Sequence, residues 1–71
     1  NSGYKDLKKL KNIIEMFQKN RPVLCNLITK TKAIKATPMK IEQNKLYVRN
    51  EEGIEEQIDI TELQNIEIIK F

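Results

Sequence analysis

The 71-residue sequence predicts a mainly β domain with an N-terminal α-helix. The first architecture is a small five-stranded antiparallel barrel; an α+β two-layer sandwich built from the same elements is the second. Three observations lead there. Apolar residues recur at three- and four-residue spacing up to Phe17, the pattern then changes to short β-leaning runs, and turn residues interrupt those runs at close intervals. Short, bent strands leave unpaired edges, and closure into a barrel with the helix over one open end removes them.

Leu7, Leu10, Ile13, Ile14 and Phe17 form one stripe at about 100° per residue, so a helix is predicted over 4–20. Lys5, Lys8, Lys9 and Lys19 project from the other side, Lys11 sits nearer the border, and Met16 falls off the stripe. Asn20-Arg21-Pro22 ends the helix, because the residue before a proline is pushed toward extended geometry. Val23 to Thr29 reads as a buried strand and Lys30-Thr31 as a turn. From Lys32, the alternation of Lys32, Ile34 and Ala36 against Ala33, Lys35 and Thr37 slips at Pro38 and resumes at Met39 and Ile41. A phase slip at proline fits a bulge or bend in a long strand. Gln43-Asn44 turns into Leu46-Tyr47-Val48, and Asn50-Glu51-Glu52-Gly53 turns into Ile54 to Ile60. Thr61 to Gln64 is expected as one helical turn capped by Thr61, and Ile66, Ile68 and Ile69 supply the last strand. The single domain is thus expected over 4–71, its barrel over about 22–71, with Asn1-Ser2-Gly3 a processed, expression-derived or disordered end.

A chain this short builds a core near the lower limit of independent stability, which makes oligomerisation a live option. Cys25 is the one cysteine and histidine is absent, so neither an internal disulfide nor the usual zinc sets can form. That usage implies a reducing, cytoplasmic setting. No apolar run approaches the roughly 18–20 residues of a membrane span, so no membrane partner is expected.

Charge is sorted along the chain. Residues 1–40 hold ten Lys/Arg against Asp6 and Glu15, a balance of +8; residues 41–71 hold Lys45, Arg49 and Lys70 against eight acids, a balance of −5. The overall +3 conceals a dipole whose basic half suits an anionic partner or a complementary protein surface. Lys8, Lys9 and Lys11 on the helix, extended by Lys30, Lys32 and Lys35 at the first turn, are the candidate nucleic-acid contacts, RNA or DNA. Such contacts hold phosphates without reading sequence. Only Tyr4 and Tyr47 are stacking candidates, so backbone binding is favoured over single-strand readout. The alternative is protein interaction or self-assembly, with Met16 and the acidic residues Glu51, Glu52, Glu55 and Glu56 as the interface. Glu51, Glu52, Glu55, Glu56, Asp59 and Glu62 lack the spacing of a calcium loop. Cys25 lies in an apolar run with no histidine to activate it, and no glycine-rich phosphate loop exists. The expectation is therefore a non-enzymatic accessory or regulatory module without cofactor, metal or small-molecule substrate.

Leu10 to Ile69 also carries a family resemblance. The segments LKNIIEMFQKNRPV, LCNLIT, KAIKATPMKIEQNKLYVRN, EEQIDI and the turn TEL before NIEII resemble, in their order, the Sm-like small barrels of the Hfq-like type. The resemblance implies a bent five-stranded barrel and nucleic-acid binding. Three positions depart from the family's pattern. Thr29-Lys30-Thr31 stands where an Asn-Gly or Asp-Gly turn is usual, Ala36 near a usual glycine, and Ile60-Thr61 near the Lys-His pair of the uridine pocket.

Overall fold

A computed structural model describes residues 6–71; Asn1, Ser2, Gly3, Tyr4 and Lys5 lie outside the described residues. The helix α1 runs Leu7–Gln18. Asp6 starts it, its carboxylate accepting from the Lys9 backbone N–H at 3.1 Å, which satisfies one of the free donors of the first turn. The stop is more specific than a proline signal. Asn20 takes a left-handed φ of 64°, Arg21 N–H donates to Met16 O at 2.8 Å, and Asn20 N–H to Phe17 O at 3.0 Å. That pair of bonds is a Schellman motif with asparagine in the place glycine usually takes.

Five strands follow: β1 Leu24–Thr29, β2 Ala33–Glu42, β3 Lys45–Asn50, β4 Glu55–Asp59 and β5 Leu63–Lys70. All pair antiparallel in one sheet of order β4-β3-β2-β1-β5. Among the described residues no ladder joins β4 to β5, so the sheet is open with those two strands as its edges, and the arrangement is α+β. The lone long-range pairing is β1 with β5, which places Leu27 opposite Ile66 on one side and Ile34 on the other.

The phase slip at Pro38 is a β-bulge. Pro38 pairs with Val48 and Lys40 with Tyr47, leaving Met39 as the extra residue. This is how a buried proline is accommodated in the central strand. The β1 ladder stops at Cys25 opposite Ala36, so the N–H that Pro38 lacks is not needed on that side. Ile41 thereby regains the inward phase, opposite Leu46.

Gln43 and Asn44 both have positive φ, 51° and 64°, between the paired Glu42 and Lys45. This is the two-residue mirror-image turn whose twist matches a hairpin. Glutamine tolerates the left-handed region poorly, asparagine better, so Gln43→Asn should raise stability, by about 0.5–1 kcal/mol, read from the urea midpoint.

The helical turn before the last strand is a 3-10 turn at Ile60–Glu62. Its cap is Asp59 rather than the expected Thr61. The Asp59 carboxylate accepts from Thr61 N–H at 3.0 Å and from Thr61 Oγ1 at 2.8 Å. An extended Asp59 ends β4 and is already the residue before the turn, whereas Thr61 lies inside it.

One core unites helix and sheet: Leu10, Ile13 and Ile14 with Val23, Cys25, Leu27, Ala36, Leu46, Val48, Ile58, Leu63 and Ile66. Three helix residues depart from the expected stripe: Phe17, expected in the core, is half-buried beneath Arg49 and lies outside the core cluster. Leu7 is exposed, while Met16, expected as an exposed interface residue, is half-buried and packs on the core. Met16 stands about 60° round the helix from Ile13, which makes the apolar face wider than the stripe on that side.

Candidate nucleic-acid interface

The six predicted contact lysines do not form one set. Lys8 and Lys11 are exposed on α1. Lys9 is only partly exposed, and its Nζ donates to Ile66 O on β5 at 2.9 Å. Its ammonium fastens the helix to the edge of the sheet, a role that charge counting could not assign.

Lys30 and Lys32 occupy the β1–β2 turn. Thr29 organises it: its Oγ1 accepts from Thr31 N–H at 3.3 Å and Lys32 N–H at 3.1 Å and donates to Lys32 O. Lys30 N–H donates to Glu62 O, so this turn is tied to the 3-10 turn. Both lysine side chains stay exposed. Lys35 alternates with the buried Ala36 and so points away from the core, in a row with Asn26 and Glu67. The Asn26 amide donates to Glu67 Oε1 at 3.3 Å, which sets a carboxylate on that same face.

Two cations missed as site residues are more constrained. Lys40 lies 4.9 Å from the Tyr47 ring centroid and 3.6 Å from a Glu42 carboxylate oxygen. Arg49 lies over the Phe17 ring at 5.5 Å. Lys40 and Lys11 flank a groove of about 390 Å³ between α1 and β2, floored by Ile14 and Ile41 and completed by Glu15 and Gln18. The β1–β2 ladder ends at Ala36, and Lys40 and Ile41, farther along β2, line the groove with α1. From sequence, Lys40 looked like one more lysine of the basic half.

Four of the acids are close together in sequence at the β3–β4 turn and on β4. Glu55 and Glu56 lie on β4 with Glu51 and Glu52 on the turn before it. Asp59 ends that strand, its carboxyl held below its ordinary 3.8 by the Thr61 N–H and hydroxyl, with a smaller contribution from Lys45 at 3.5 Å. Among the described residues no group of three or more acidic or cysteine side chains is arranged to hold a metal ion, and no helix is long and apolar enough to cross a membrane.

Cys25 is fully buried, its Sγ 3.7 Å from Val23 O. Burial pushes the thiol up from 9.0 to about 11, against a smaller opposing pull from Lys9. A thiol protonated at neutral pH is a poor nucleophile. Because the folded value exceeds the unfolded one, its contribution to stability is intact below pH 9.0 and is lost as pH rises toward about 11. Denaturation midpoints should therefore fall across that window, and Cys25→Ala should flatten that part of the fall.

Comparison with protein-family models, curated proteins and solved structures finds no match to this chain.

Proposed function

We propose that this domain is a non-enzymatic module that binds the phosphate backbone of a nucleic acid through Lys8 and Lys11 on α1 and Lys19 at its C-terminal end, with Lys30 and Lys32 extending the contact. The observation that supports it is the pairing of charges. Among the described residues the ion pairs are Lys40 with Glu42 and Lys45 with Asp59, and neither uses a cation of α1 or of the β1–β2 turn. Those exposed ammonium groups keep their charge available for phosphates, and each phosphate neutralised releases counterions. An Sm-like architecture is proposed alongside, supported by the order of elements: one helix, five antiparallel strands and a helical turn before the last.

Anisotropy titrations with generic RNA and DNA over a salt series test the binding. Affinity should fall linearly on a log–log plot, and Lys8→Gln, Lys11→Gln and Lys19→Gln together should lower the slope by about 2–3. No binding at low salt, or a slope untouched by the triple change, rejects the reading.

A second reading, self-assembly through complementary charge, is favoured by the run of exposed acids Glu51, Glu52 and Glu55 on the edge strand β4 and the turn before it.

A further inference from the structure

The β3–β4 turn carries a feature neither reading uses. Ile54 is 56% exposed, with Glu51, Glu52 and Glu55 beside it, also exposed. It is rigidly presented. Asn50 Oδ1 accepts from Glu52 N–H and Ile54 N–H, each at 2.9 Å, and Asn50 N–H donates to Ile54 O at 2.9 Å. A turn whose backbone is already fixed loses little backbone freedom on binding.

The groove between α1 and β2 is its counterpart. Its floor is Ile14 and Ile41 and its flanks are Lys11 and Lys40. Glu15 inside the groove and Glu42 beside Lys40 subtract charge. Lys8 and Lys19, one helical turn from Lys11 and Glu15, restore it, so the surroundings remain positive. A chain cannot fill its own groove. Ile41 sits opposite Leu46, whereas the turn begins after Asn50, about 13 Å farther along the strand, and is locked by its hydrogen bonds.

We infer that the groove receives Ile54 of the partner subunit in a contact between two copies of this chain, with Lys11 and Lys40 facing the acids around that isoleucine. The inference rests on the self-assembly reading and names its surfaces. One apolar anchor with a charged rim makes a small interface, so the contact is weak, salt-sensitive and populated at high protein concentration.

Sedimentation velocity from micromolar to about 1 mM protein, at low and high salt, tests it with two exposed-site variants. Lys11→Glu with Lys40→Glu spoils the groove and keeps the turn; Ile54→Ser with Glu52→Lys spoils the turn and keeps the groove. Circular dichroism checks that both fold. The wild-type chain should associate at low salt, and each variant alone should be at least about tenfold weaker. An equimolar mixture of the two should recover a 1:1 complex, because each supplies the half that the other lacks. A wild-type chain monomeric throughout overturns both the contact and the self-assembly reading. Association unchanged in the variants, or a mixture that recovers nothing, overturns the contact alone and leaves assembly through another surface.

Discussion

Leu27→Ala should leave the domain at or near its unfolding midpoint in buffer at 25 °C. Leu27 is fully buried on β1, between Ile34 and Ile66 on the neighbouring strands. Removing a buried leucine side chain to alanine costs about 2–5 kcal/mol, the higher figures where the surroundings cannot collapse. Here β1 is held on both sides by ladders, so collapse is restricted. A domain of this size has only about 3–5 kcal/mol from a single core. Urea denaturation followed by far-ultraviolet circular dichroism should show a lost or truncated folded baseline. A wild-type-like midpoint would mean that the core around β1 is not what holds the fold.

Asn50→Ala should be the most damaging change outside the core, at about 2–3 kcal/mol from three hydrogen bonds at roughly 1 kcal/mol each. Besides holding the turn through Oδ1, the Asn50 amide donates to Glu56 Oε2 at 2.8 Å. The strand β4 is joined to the sheet through β3 alone, so the loss should be local as well as global. Amide exchange at 55–59 should accelerate more than exchange in β1. Asn50→Asp separates the contributions. It keeps an oxygen for the two N–H groups but sets a carboxylate against Glu56, so it should be intermediate at neutral pH and recover as the acids are protonated. Equal effects of the two substitutions would show that the amide contact with Glu56 decides the turn.

Where local chemistry decides the structure, the sequence was readable. The α1 stripe of Leu10, Ile13 and Ile14, the slip at Pro38, the Gln43-Asn44 turn and the glycine-containing turn at Gly53 all appear where period and turn residues place them. Pairing between distant segments was less legible. Nothing in the alternation of β5 states that it lies beside β1, or that β4 and β5 end as separate edges, because an edge strand and a closed one can carry the same half-buried pattern. The candidate site suffered for the same reason. Lys8 and Lys9 are adjacent and chemically identical, yet one is free and the other is spent on Ile66 O; only the position of β5 distinguishes them. Lys40 lines a groove with Lys11 and Ile14 of the helix, a proximity between distant segments that one strand's pattern does not state. Met16 was misplaced because a stripe drawn from the strongest apolar residues was narrower than the face the sheet covers.

The bulk of the sheet around Cys25 turns that side chain into a built-in clock. With one sulfhydryl in the whole sequence, an alkylating reagent added in excess can mark a molecule once, and only while the centre of the structure stands open. The labelling half-time then measures opening free energy when reclosure is fast and the opening rate itself when the reagent wins. Every substitution discussed above that keeps Cys25 can be ranked by mass spectrometry in native buffer, without denaturant and without an introduced tag.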